Sequence, residues 1–107
     1  MSADSSEPVY EVVWPLGSSA YKTRAPNARI ADLSGKVVGE LWDYLFRGDR
    51  VFAHLEQALR ARFPEVRFVG WKEFGNTHGS DEHAVLAALP QRFRELGVDA
   101  VISGMGC

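Results

Sequence analysis

The sequence has a single cysteine, no long apolar run and almost no excess of charge of either sign. Cys107 alone cannot form a disulfide within the chain, which is typical of a protein from the reducing cytoplasm. No apolar stretch approaches the roughly 20 residues that a membrane-spanning helix needs. The formal net charge of −2 gives no indication of a nucleic-acid or anionic membrane partner. We therefore expect a cytoplasmic protein that binds neither nucleic acid nor membrane.

Length and composition indicate one folded domain with an N-terminal extension. A chain of 107 residues with 46% hydrophobic and 24% charged side chains is ordinary for a globular domain. Residues 1–8 are polar and acidic, without the basic and apolar regions of a secretory signal, and predict a disordered leader. Residues 9–34 predict an N-terminal strand over 9–14 and then an extended arm. Residues 35–107 predict the folded domain.

The folded domain alternates strand-like and helix-like segments. Short β-branched runs predict strands near 36–42, 65–70 and 98–103, and apolar residues at helical spacing predict helices near 50–63 and 81–96.

The segment 36–47 is the hardest to assign, because its apolar residues also fit one face of a helix. The β-branched pair Val37 and Val38 favours a strand. Asp49 then fits the cap of the following helix, since its carboxylate can accept hydrogen bonds from the amides of the first turn. Pro90 is expected to kink or divide the second helix.

These elements form a βαβαβ unit, which predicts an α/β fold of the three-layer type. The unit corresponds to half of a doubly wound, Rossmann-like sheet. Right-handed crossovers then place both helices on one face of the three-stranded sheet. The other face would then be covered by the arm or by a second protein subunit that supplies the other half of the fold.

Ligands of open parallel sheets bind beyond the carboxyl ends of the strands, where three loops are expected, 43–49, 71–80 and 104–107. Cys107 is the main catalytic candidate, because a thiol becomes a nucleophile when nearby cations or helix amides lower its pKa. His78 is the second candidate. A terminal cysteine without a role is the alternative.

The same loops contain groups that can bind an anionic small-molecule substrate. A glycine-bearing loop before a helix can present backbone amides to a carboxylate or phosphate, although its spacing matches no dinucleotide or P-loop motif. A simple capped turn is the alternative. The candidate residues for substrate or anion binding are Arg47, Lys72, Gly75, Asn76, Thr77, Gly104 and Gly106.

A metal ion is a further possible cofactor, with His78, His83 and Cys107 as its ligands. These residue types bind zinc or iron, but their spacing matches no established metal motif. A loop histidine and a solvated helical histidine are the alternative interpretation.

Four segments of the chain together form a recognisable pattern. They are Asp32-Leu-Ser-Gly-Lys-Val-Val-Gly-Glu-Leu-Trp42, the helix start near Asp49, Arg62-Phe-Pro-Glu-Val-Arg-Phe-Val69 and Val98-Asp-Ala-Val-Ile-Ser-Gly-Met-Gly-Cys107. This pattern resembles the UGSC family of selenoproteins and their cysteine forms. The resemblance covers roughly residues 30 to 107. It implies an α/β fold and redox or sulfur chemistry.

The chain departs from the family pattern at its last residue. Family members continue from the Gly-x-Gly turn into a selenocysteine- or cysteine-Gly-Ser-Cys motif, and Cys107 stands either before that motif or at its first position. The resemblance therefore does not imply the family's redox pair for this chain, because the residues of that pair are absent. Either a second polypeptide supplies the missing half, or the product was truncated at a UGA codon read as selenocysteine.

Three functions follow as alternatives. The first is one subunit of a two-chain enzyme whose active site contains Cys107. The second is a non-catalytic scaffold subunit that stabilises a catalytic partner. The third is a small metal-binding protein that uses His78, His83 and Cys107.

Overall fold

The computed structural model describes residues 7–17 and 23–106. In chain order, the elements are β1 (Val37–Trp42), α1 (Gly48–Arg62), β2 (Arg67–Val69), a 3₁₀ turn (Trp71–Glu73), α2 (Glu82–Leu96) and β3 (Ala100–Gly104). The strand assignment for the ambiguous segment is confirmed, and so is the alternation of strands and helices. The fold is a mixed α/β structure with a three-stranded sheet.

The sheet is parallel, and its strand order is β2-β1-β3. Val38 of β1 is the partner of Phe68 on one side and of Ala100 on the other. β1 is therefore the central strand, and all six of its residues are buried.

The helices cover opposite faces of this sheet. Leu41 of β1 belongs to a buried cluster with Leu89 of α2. The next residue, Trp42, contacts Gly48 at the start of α1, and successive side chains of a strand point to opposite faces. The prediction that both helices share one face is therefore wrong. The connection from β1 to β2 runs toward one edge of the sheet, whereas the connection from β2 to β3 runs back across β1 to the other edge. Because both crossovers are right-handed, this reversal places α2 on the face opposite α1.

The α2 face contains the main hydrophobic cluster. Leu41, Phe74 and Leu89 are buried there, and Phe93 packs against them with its ring centroid 5.3 Å from that of Phe74. Gly97 ends the helix in the left-handed conformation, with φ of 63°, which glycine adopts without steric cost. These contacts fix α2 against the sheet beside the carboxyl end of β1.

Two local predictions about the helices are tested by the structure. α2 continues through Pro90 as one helix and is not divided there, whereas a kink at Pro90 stays a prediction. Asp49 does not cap α1, because its carboxylate binds the Arg47 guanidinium through two hydrogen bonds of 3.1 and 3.0 Å. Arg47 is the residue before the helix, and its side chain makes no capping hydrogen bond.

The predicted N-terminal strand is not formed. Residues 9–14 contain no strand, and their apolar side chains are exposed, with Val13 91% and Trp14 71% accessible. A β-branched run becomes a strand only when a neighbouring strand accepts its backbone hydrogen bonds, and in the described residues none lies beside it. The fold that positions the candidate site therefore begins at β1.

Candidate functional site

A mainly apolar cavity of about 250 Å³ lies at the carboxyl ends of β1 and β3. This is the edge of a parallel sheet at which ligands bind. The residues that line it come from both strand ends, the loop before α2 and α2 itself, namely Leu41, Asp43, Thr77, His78, Leu86, Ser103 and Met105.

Asp43 holds the two strand ends together. Its backbone N–H donates to the carbonyl of Gly104 at 3.3 Å, which extends the β1–β3 pairing by one residue. Its carboxylate accepts a hydrogen bond of 2.7 Å from the N–H of Gly106 and another of 3.1 Å from the N–H of Leu45. Asp43 is only 3% exposed, so the segment after β3 is tied to a buried carboxylate.

The electrostatics of the site favour an ionised Asp43. The hydrogen bond from the Gly106 amide lowers the pKa of the Asp43 carboxyl, burial opposes this, and the Leu45 amide lowers it further. The charge of a protonated His78 acts in the same direction.

The loop after β1 has an unusual backbone conformation. Tyr44 has a positive φ of 65°, which is uncommon for a residue with a bulky side chain. The Asp43–Leu45 hydrogen bond closes a turn around it, and its ring packs on Trp42 and Trp71 at centroid distances of 4.5 and 5.4 Å. Side-chain packing and the buried carboxylate together hold this strained turn beside the cavity.

The loop before α2 is attached to β1 through its backbone. Thr77 donates its N–H to the carbonyl of Trp42 at 3.2 Å, and His78 donates its N–H to the Asn76 side chain at 2.9 Å. The Gly75 N–H donates to the Trp71 carbonyl. These amides, predicted to bind an anion, have partners within the protein, so an anion here would replace existing hydrogen bonds.

His78 lies at the rim of the cavity with most of its side chain accessible. Its Nδ1 is 3.4 Å from the Glu82 carboxylate, one helical turn further along the chain, and the side chain is 59% exposed. Histidine is the side chain that most often transfers protons in enzymes. The structure places His78, a predicted site residue, in the lining of the cavity, and its catalytic role stays a prediction.

The other predicted anion-binding residues do not meet at this cavity. Arg47 is bound to Asp49, and Lys72 lines a different cavity on the α1 face. A side chain at Gly104 would collide with the ring of Phe46, at 2.8 Å from its nearest carbon. Gly104 is therefore required for packing between β3 and the loop after β1.

The predicted metal site is only partly within the described residues. His83 is exposed on α2, and among residues 7–17 and 23–106 no three His, Cys, Asp or Glu side chains are close enough to hold a metal ion. Cys107, the third predicted ligand and the main catalytic candidate, lies outside the described residues. Its role as ligand or nucleophile stays a prediction.

Sequence reasoning missed Asp43 as a site residue. The available signal was its place directly after a buried strand, since the end of a parallel strand lies at the ligand-binding edge. Its hydrogen bond to Gly106 joins residues 63 positions apart, which no local pattern reveals.

A larger concavity, of about 600 Å³, lies at the opposite edge of the sheet. It is lined by residues 30–36 and Asp99, whose carboxylate accepts a hydrogen bond of 2.9 Å from the N–H of Val37. Because it is shallow and lies at the amino ends of the strands, it is a weaker candidate than the cavity at Asp43.

In comparisons with known proteins, the model of the UGSC family matches residues 11–107 of this chain. No curated protein and no solved structure matches the chain significantly. Within the described residues, no helix has both the length and the apolar composition to cross a membrane.

Proposed function

Since this chain belongs to the UGSC family, we propose that it contributes one part of an enzyme active site that a second polypeptide completes. The chemistry is that of a thiolate at Cys107, acting as nucleophile or redox centre on a small-molecule substrate. His78 accepts the thiol proton of Cys107. Asp43 holds the backbone of Gly106, the residue before Cys107.

The observation that carries this proposal is the hydrogen bond between Gly106 and Asp43. Cys107 is the next residue after Gly106, whose amide is 2.7 Å from a buried carboxylate at the rim of the cavity. A nucleophile, a base within reach and a third group that orients the base form the common arrangement of activated thiols. In this proposal His78 supplies the base, and the Glu82 carboxylate, 3.4 Å from its Nδ1, is the group that orients it.

The strand order supports the further proposal that the chain is half of a doubly wound fold. The order β2-β1-β3, with helices on opposite faces, is how such sheets begin. In these sheets the ligand binds where the connections change faces, which here is between β1 and β3. The cavity at Asp43 lies at that point.

Exposed apolar side chains around this edge support a partner subunit. Leu86 is 47% exposed, Val101 40%, Leu45 51% and Met105 71%, and β3 has no strand on its outer side in the described structure. Contiguous apolar surface and an unpaired strand edge are the features that protein interfaces cover.

The thiol is tested by the pH dependence of its alkylation. We expect Cys107 to react with iodoacetamide with an apparent pKa below the ordinary value of about 8.5. We expect His78→Gln to raise that apparent pKa, because the imidazolium no longer stabilises the thiolate. The measurement is the alkylation rate by mass spectrometry from pH 5 to pH 10.

His54→Gln is the matched control, because His54 is exposed on α1, away from the cavity. It should leave the profile unchanged. A wild-type apparent pKa at or above the ordinary value, unaffected by His78→Gln, would contradict a catalytic thiol and favour the scaffold alternative.

The partner is tested by co-expression with the products of neighbouring genes. We expect a stable heteromer by size-exclusion chromatography with light scattering. Leu86→Asp should prevent it, because a charge would be buried against apolar surface. Val51→Asp is the control, since Val51 is equally exposed, at 44%, but lies on α1. A monodisperse, folded monomer that forms no complex under any of these conditions would contradict the proposal.

A further inference from the structure

A second cavity, of about 330 Å³, lies on the other face of the sheet, between α1 and residues 70–73. Its size falls at the lower end of the range of small-ligand pockets. The side chains that matter for its chemistry are Glu40, Phe52, Glu56, Trp71, Lys72 and Glu73. It is separated from the cavity at Asp43 by the central strand, because Glu40 and Leu41 point to opposite faces.

Glu40 is the central feature of this cavity. It lies in the middle of β1 and is only 2% exposed, and its Oε2 atom is buried without a hydrogen-bond partner among residues 7–17 and 23–106. A buried carboxyl oxygen without a partner is costly and rare in folded proteins. Because the residue also lines the cavity, a ligand that enters can supply the missing donor.

The acidic neighbours of Glu40 make the cavity a poor site for an anion. Glu56 of α1 lies near enough to raise the pKa of Glu40, although burial is the larger cause of a rise from 4.5 to about 7. Asp49 and Glu73 also line the cavity, and they form ion pairs with Arg47 and Arg92. Of the charged side chains that line the cavity, four are acidic and only Lys72 is basic.

The cations nearest to Glu40 do not bind its free oxygen. The Arg60 guanidinium carbon lies 5.0 Å from the centroid of the Phe68 ring, and the Lys72 ammonium 5.5 Å from that of the Trp71 ring. The charge of Arg60 lowers the pKa of Glu40, but burial and the charge of Glu56 raise it by more. The carboxyl group is left for a cation from outside.

A metal ion does not fit this arrangement, because the described residues contain no group of three His, Cys, Asp or Glu side chains able to ligate one. An alkylammonium ion needs fewer ligands. Its N–H groups donate to a carboxylate, and its carbon chain and charge are favoured by aromatic walls such as Phe52 and Trp71.

We propose that this cavity binds a small primary alkylammonium ion, with one N–H of the ligand donating to Oε2 of Glu40 and the alkyl chain packed against Phe52 and Trp71. The site is separate from the thiolate chemistry proposed above and does not depend on it. Its ligand belongs to the class of primary amines.

The test measures the binding of n-butylammonium chloride to the full chain by NMR titration or calorimetry at constant ionic strength. We expect saturable binding of n-butylammonium and at least about tenfold weaker binding of neutral n-butanol. Glu40→Gln should weaken the binding of n-butylammonium by a similar factor, because a hydrogen bond to a charged group is lost. The wild-type affinity should rise from pH 6 to pH 8 as Glu40 ionises, while the amine, whose pKa lies close to that of lysine, stays charged.

Glu65→Gln is the matched control, since Glu65 is exposed and outside the cavity, and it should bind as the wild type does. Equal affinity for n-butylammonium and n-butanol, or no saturable binding of the amine, would overturn the proposal. So would an affinity for the amine that is unchanged from pH 6 to pH 8, which is measured on the wild type and needs no variant.

Discussion

Replacing Asp43 with alanine is expected to lower the free energy of unfolding by about 3 kcal/mol. The carboxylate accepts two hydrogen bonds, from the N–H groups of Gly106 and Leu45, and it is 3% exposed. Hydrogen bonds to a charged group contribute roughly 1.5 to 3 kcal/mol each, and the two donors would lose their protein acceptor. The measurement is urea unfolding followed by tryptophan fluorescence.

Asp49→Ala is the matched control for this prediction. The pKa of the Asp49 carboxyl is also lowered, chiefly by its hydrogen bond with Arg47, but this ion pair is largely exposed, with 40% of the Asp49 side chain accessible. Exposed ion pairs contribute about 0 to 1 kcal/mol. Equal losses for the two variants would show that Asp43 does not hold the strand ends together.

The contribution of Asp43 should also depend on pH with a definite sign. Because its pKa is lower in the folded protein than its ordinary value of 3.8, the stabilisation is fully present above pH 3.8 and is lost as the pH falls through the folded pKa. We therefore expect the free energies of unfolding of the wild type and Asp43→Asn to differ by a constant amount above about pH 4. Below that pH the difference should become smaller, which acid unfolding of both proteins would measure.

The stability of the wild type is expected to fall as the pH rises from about 4.5 to 7, by up to about 3 kcal/mol, because of Glu40. Burial first, and then the charge of Glu56, raises the pKa of Glu40 from 4.5 to about 7. The folded protein therefore holds a proton that the unfolded chain has released in this interval. Each pKa unit corresponds to about 1.4 kcal/mol, and the loss is complete above the folded pKa.

Glu40→Gln removes this ionisation while keeping the shape of the side chain. We expect its stability to be nearly constant between pH 4.5 and 7 and to exceed that of the wild type at pH 8. The control Glu65→Gln, at an exposed position, should follow the wild-type curve. The measurement is the free energy of unfolding in urea at intervals of half a pH unit. A wild-type curve that is flat or rising over this interval would contradict a raised pKa at Glu40.

Glu40 on β1 and Asp43 directly after this strand thus differ because of what surrounds them. Asp43 finds two amide donors, whereas Glu40 finds a cavity, an acidic neighbour and an oxygen without a partner. In the sequence both are single acids in an apolar run. The chain segments packed around each residue make Asp43 a structural carboxylate and Glu40 one that can respond to a ligand or to pH.

Local sequence determined which segments are strands and which are helices. The β-branched pair at Val37 and Val38 and the helical spacing of apolar residues after Asp49 are properties of neighbouring residues, and the elements they predicted are present. Gly97 ends α2 for an equally local reason, since its backbone has a positive φ. The resemblance to the UGSC family, read from a few segments, was confirmed over a longer range.

The strand order, and everything that depends on it, was decided by the tertiary structure. Sequence order does not say that β3 pairs with β1, because either edge can satisfy the same backbone hydrogen bonds. That choice placed the helices on opposite faces, brought Gly106 to Asp43 and enclosed Glu40 beneath α1. The segment 9–14 has strand-forming residues, but no strand lies beside it in the part of the chain that the structure describes. Propensity acts between neighbours along the chain, whereas a site is formed by residues that only packing brings together.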